Sequence, residues 1–102
     1  MRRVAVTGIG VVSPLGNDPA QVLARARAGH SGVRRLSIPF ADRLTSPIAA
    51  TADIDDAADV DPTRARMLDR FSLFALIAAN QAVRASRDPW AGIGRERAGV
   101  FV

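Results

Sequence analysis

Apolar residues run almost without interruption from Arg3 to Val12, and many of them are β-branched: Val4, Val6, Thr7, Ile9, Val11 and Val12. Continuous rather than alternating hydrophobicity over this length predicts a strand covered on both faces, as in the centre of a parallel sheet. Ser13-Pro14-Leu15-Gly16 closes it. Asp18 then offers a helix cap, Pro19 suits the first helical position, and Gln21 stands where a capping-box side chain reaches back. A helix is therefore predicted through Val22–Ala28, with Gly29 as its stop. Between Ser31 and Val60 the periodicity weakens, Pro39 and Pro47 break regular structure, and only Ile48 to Ala52 reads as a short strand. Asp61-Pro62 repeats the cap-and-first-turn signal and predicts one long helix from Thr63 to about Ser86, ended by Arg87-Asp88-Pro89. After a turn containing Gly92 and Gly94, Ala98 to Val102 reads as a second buried strand.

The long helix carries the strongest demand on its surroundings. Phe71, Phe74, Ala75, Ala78 and Ala82 form one stripe, while Leu73, Leu76 and Ile77 occupy much of the remaining circumference. A helix apolar nearly all round needs cover on several sides. Two parallel-type strands cannot supply that cover or close a sheet. The pattern predicts one α/β unit over residues 1–102 that is part of a larger fold and is marginally stable or aggregating when isolated.

Composition changes this picture little. The chain has 102 residues, 48% hydrophobic and 24% charged, the ordinary range for one globular unit. Its formal net charge is +4, and every basic residue other than the one histidine is arginine, which grips carboxylates and phosphates in bidentate fashion and favours an acidic partner. Zero cysteines remove disulfides, cysteine-ligated metal and thiolate chemistry together. Arg2-Arg3 before an apolar run superficially resembles a secretory leader, but Thr7, Gly8 and Gly10 interrupt the run and Pro14 follows without a cleavage-like site. The expectation is a cytoplasmic protein. The longest apolar run, Leu73 to Ala79, is far below the roughly 20 residues of a membrane-spanning helix, so no membrane partner is expected.

Several motifs invite chemistry and are weighed against simpler explanations. Gly8-x-Gly10 after a strand is the beginning of a dinucleotide-binding fingerprint, yet Ser13 stands where the third glycine belongs, and no acid lies at the ribose-binding spacing. Close packing of the strand explains the glycines better. Asp53, Asp55, Asp56, Asp59 and Asp61 form an acidic cluster, but the spacing lacks the central glycine and terminal glutamate of a calcium loop; a solvated segment with Asp61 as cap is expected. His30 falls just beyond a predicted helix end, where it stabilises terminal carbonyls rather than acting as a base. Arg64, Arg66 and Arg70 open the long helix, and on a continuous helix Arg66 and Arg70 share a face. No aromatic platform accompanies them, so nucleic acid is not expected.

Read in order, Val4-Ala5-Val6-Thr7-Gly8-Ile9-Gly10-Val11-Val12-Ser13-Pro14-Leu15-Gly16, then Ala28-Gly29-His30-Ser31-Gly32, the Asp-rich connection and Met67-Leu68-Asp69-Arg70-Phe71-Ser72 resemble the start of the beta-ketoacyl-acyl-carrier-protein synthases, nearest to their elongating branch. The likeness covers essentially the whole chain. It departs at His30, where lysine is common, and at Leu68, which interrupts the usual Arg-Met-Asp run. The resemblance implies the N-terminal part of a thiolase-like α/β/α/β/α layered fold, with residues 1–102 an N-terminal fragment of that domain.

It also implies decarboxylative Claisen condensation of an acyl group with malonyl-acyl-carrier protein in fatty acid or polyketide synthesis. The family's catalytic cysteine and two histidines lie beyond the last residue here, so no catalytic, cofactor or metal residue is assigned and the fragment itself is expected to be inactive. What carries over is a docking position for the acyl carrier protein at Arg66, with Arg64 and Arg70 nearby. The full-length form is expected to pair as a homodimer or with a ketosynthase partner. A non-catalytic chain-length-factor-like partner is the alternative reading, and a small nucleotide-binding α/β domain the third.

Overall fold

Aspartate starts each α-helix among the described residues. The computed structural model describes residues 2–54, 60–87 and 89–101. Helix α1 spans Pro19–Arg27, α2 Pro62–Met67 and α3 Arg70–Ala85. Their caps are Asp18, Asp61 and Asp69, whose carboxylates accept the backbone N–H of Gln21, Arg64 and Ser72, each at 3.0 Å. Such a cap satisfies a donor that has no partner within the helix and is worth about 1 kcal/mol. Pro19 and Pro62 occupy the first turns, as the sequence predicts.

Helix α1 ends as expected. Gly29 takes φ +72°, the His30 N–H reaches the Arg25 carbonyl at 3.0 Å, and the Gly29 N–H reaches Ala26 at 3.1 Å. This is a Schellman closure, which needs a left-handed residue at Gly29. The backbone of His30, rather than its imidazole, makes the closing bond. The Gln21 amide lies against Gly16, a position different from the reach back to Asp18 expected of a capping box.

The predicted single helix from Thr63 to Ser86 is two helices. Leu68 is extended at φ −98°, ψ 142°, and Asp69 follows at φ −70°, ψ 165°. Asp69 is engaged as the cap of α3, and a capping residue takes extended backbone, so the helical run cannot pass through it. At the far end Arg87 at φ +63° stops α3, in agreement with the sequence.

The weakly periodic connection contains a small antiparallel pair. Strand β1 (Val33–Arg35) pairs with β2 (Ile48–Ala50) in the register Val33↔Ala50, Arg34↔Ala49, Arg35↔Ile48. Only β2 was foreseen, within Ile48 to Ala52. A three-residue strand is too short to show a period, which hid β1.

The two apolar runs read as buried strands have no ladder partners among the described residues. Residues 2–12 form neither helix nor ladder and leave Val4 94% exposed, and residues 98–101 leave Phe101 97% exposed. Val102 lies outside the described residues. The reason is geometrical: a central parallel strand is buried by neighbours on each edge and layers on each face, and among the described residues neither run has a strand beside it.

Burial follows from this. Ala41, Val60 and Ile77 are buried, and Ile77 alone represents α3. The accessible surface is 8700 Å², against about 5500 Å² for a folded monomer of 10.8 kDa. The radius of gyration, 17.2 Å, likewise exceeds the roughly 13 Å of a compact chain this long. Among the described residues, no helix is long and apolar enough to cross a membrane.

Candidate functional site

The glycines of the first apolar run face a helix wall. A Cβ built on Gly8 would sit 2.0 Å from the Ala82 carbonyl oxygen, and one on Gly10 would sit 1.7 Å from that of Ala78. Ala78 and Ala82 are one helical turn apart on α3, so the two glycines let the N-terminal backbone lie directly along the helix. This is the close-packing explanation, and it excludes a dinucleotide at these glycines: a pyrophosphate there would meet carbonyl oxygens. The N-terminus of α1, the other anion-seeking position, is already taken by the Asp18 carboxylate.

A polar residue fixes the register of this seam. The Gln81 side chain accepts the Val11 N–H at 2.9 Å and donates to the Asn17 carbonyl at 2.8 Å. It thereby holds both ends of the turn in which Ser13 and Gly16 exchange backbone bonds at 3.1 Å. Sequence reasoning passed over Gln81 and Asn17. The available signal was the Asn80-Gln81 pair of amides in the middle of a largely apolar helix, since such a group needs partners when it is enclosed.

Beyond the turn, Asn17 donates through Nδ2 to the Asp53 carbonyl, and the Arg34 guanidinium pairs with the Asp53 carboxylate at 2.7 Å. Both members of that pair are largely exposed, so its contribution is small. Asp53 is thus an ion-pair partner and Asp61 a cap. Asp55, Asp56 and Asp59, the rest of the acidic cluster, lie outside the described residues. Among the described residues no three acidic or histidine side chains converge on a metal position.

The three arginines are not equivalent. Arg70 begins α3, donates through Nη2 to the Ala52 carbonyl at 3.0 Å and stacks 5.0 Å from the Phe74 ring centre. The helix break at Leu68 and Asp69 removes the common face that Arg66 and Arg70 would share on one continuous helix. Arg64 and Arg66 instead lie exposed on α2, with no side-chain hydrogen bond or ion pair among the described residues. At about 100° per residue, Met67 falls between them around the helix, roughly 60° from Arg64 and 100° from Arg66. Ala65, on the opposite side, is half-buried. The outward arc of α2 is therefore Arg66, Met67 and Arg64.

The family described as beta-ketoacyl synthase, N-terminal domain, matches residues 1–102. The chain is 42% identical over 96 residues to the "Putative polyketide beta-ketoacyl synthase 1" of Streptomyces halstedii, covering 87% of this chain and 23% of that protein. It is 42% identical over 82 residues to the 3-oxoacyl-[acyl-carrier-protein] synthase 2 of Coxiella burnetii, covering 79% of this chain and 20% of the relative. With the synthase 2 of Staphylococcus aureus strain N315 it shares 30% identity over 105 residues, covering 99% of this chain and 25% of the relative. The chain thus spans about a quarter or less of the length of the relatives it matches.

Proposed function

The chain belongs to the beta-ketoacyl synthase family, within its N-terminal domain, and on that premise we propose that it is the opening segment of a carbon–carbon bond-forming acyltransferase. The reaction of the complete protein is decarboxylative condensation. An acyl thioester on the enzyme is attacked by the carbanion formed when a malonyl thioester on acyl carrier protein loses carbon dioxide, giving a β-ketoacyl thioester and the free enzyme thiol. The observation that carries this reading is the family match along the whole of residues 1–102.

This segment contributes scaffold and a docking face. It contains no cysteine, so the acyl group is received by polypeptide other than these residues. The seam of Gly8 and Gly10 holds the N-terminal segment against α3, a surface on which strands of the complete protein assemble. Arg66 and Arg64 face the acidic carrier protein, while Arg70, held by the Ala52 carbonyl and stacked on Phe74, stands at the head of α3. The reading also makes the complete form cytoplasmic and paired, either with itself or with a second ketosynthase chain.

Two measurements test it. The complete protein, given an acyl group and malonyl-carrier protein, should release carbon dioxide and form the β-ketoacyl product; a complete protein that forms none refutes the activity. In the same protein Arg66→Glu should raise KM for the carrier-linked substrate and flatten its dependence on salt, because a phosphate- or carboxylate-facing cation acts through screened attraction. An unchanged KM at low ionic strength would remove Arg66 from the docking face.

A further inference from the structure

Met67 is 83% exposed, the last residue of a six-residue helix, and it lies between two arginines on the outward arc of α2. A single exposed apolar side chain is ordinary. Its placement is what distinguishes this one: the two flanking guanidiniums have no side-chain partners among the described residues, and Ala65 turns the opposite side of the helix inward. An acidic surface drawn to Arg64 and Arg66 would necessarily be laid over the thioether between them. Methionine and arginine are enriched together at the cores of protein interfaces, and the unbranched, polarizable methionine side chain adapts to the group it meets.

We infer that Met67 is the apolar anchor of this docking face, seating an aliphatic or aromatic side chain that an acidic carrier protein presents among its carboxylates. The inference rests on the carrier-docking reading of Arg66 and Arg64 given above. It adds a second component to that recognition. The arginines supply long-range, salt-sensitive attraction, while Met67 supplies short-range, salt-insensitive contact that sets how long the carrier stays. The apolar contact also adds selectivity, because an acidic protein without an apolar side chain at the matching place meets the two charges and gains nothing from the centre.

The test uses the complete synthase, with malonyl-carrier protein compared against a malonyl thioester too small to touch α2. Met67→Ser should raise KM for the carrier-linked substrate about tenfold at low and high salt alike. It should leave kcat and the small thioester unchanged, and Met67→Leu should restore KM. Arg64→Glu and Arg66→Glu should raise KM at low salt and flatten its salt dependence. If Arg66→Glu weakens docking and Met67→Ser does not, the anchor is refuted while the carrier-docking reading stands. If all these variants leave KM unchanged, the docking reading falls and the anchor with it. If Met67→Ser slows the small thioester equally, Met67 supports the fold and the inference is overturned.

Discussion

At Gly10 there is no room for even a methyl group. The position a Cβ would take is 1.7 Å from the Ala78 carbonyl oxygen, which belongs to helix backbone and cannot swing aside. Gly10→Ala must push the N-terminal segment off α3, and overpacking of this kind costs about 1–3 kcal/mol. Gly29 offers the control, since it has φ +72° but nothing within 4 Å of its Cβ position. Gly29→Ala should cost about 1 kcal/mol, from backbone strain alone. Denaturant titration of the complete protein should therefore rank Gly10→Ala as the more damaging; equal effects would show that the seam is loose enough to accept a methyl group. Gln81→Leu should expose the Val11 N–H, which loses its acceptor, and cost about 1–2 kcal/mol. Amide exchange at Val11 should accelerate while the Gln21 amide, held by Asp18, stays protected.

Between elements, the decisive feature is the break that separates α2 from α3. Asp69 caps Ser72 at 3.0 Å, and Leu68 is extended to let it do so. Asp69→Ala should lose about 1 kcal/mol, the same order as Asp61→Ala at the head of α2. The complete protein's unfolding midpoint measures both. The two differ in consequence, because Asp69 also directs α2: removing it permits the helix to run on through Leu68, turning the Arg64–Met67–Arg66 arc relative to α3. Asp69→Ala should accordingly raise KM for the carrier-linked substrate, whereas Asp61→Ala should leave it near wild type. The sequence showed the caps at Asp18 and Asp61 because proline follows each. It concealed Asp69, which sits inside an otherwise helical pattern with arginine after it.

For the whole molecule, surface area is the governing quantity. An accessible surface of 8700 Å² exceeds that of a typical folded monomer of this mass by about 3000 Å². Val4, Val6, Val100 and Phe101 are among the most exposed apolar residues. Backbone without ladder partners and carrying exposed apolar side chains is a template for association. The isolated chain should bind a hydrophobic dye strongly, sediment as aggregates at micromolar concentration and lack a cooperative thermal transition. A sharp transition from a soluble monomer would contradict this. The sequence alone determined the helix starts at Asp18 and Asp61, the stop at Gly29, the apolar character of α3 and the family, because these depend on local backbone chemistry and on residue order. Only the tertiary structure decided that Gly8 and Gly10 lie against the carbonyls of Ala82 and Ala78, that Gln81 joins Val11 to Asn17, and that Arg66 shares its arc with Met67 and Arg64 rather than with Arg70. Those relations join residues far apart in the chain or turn on one capping carboxylate, and no local periodicity encodes which distant backbone a side chain will meet.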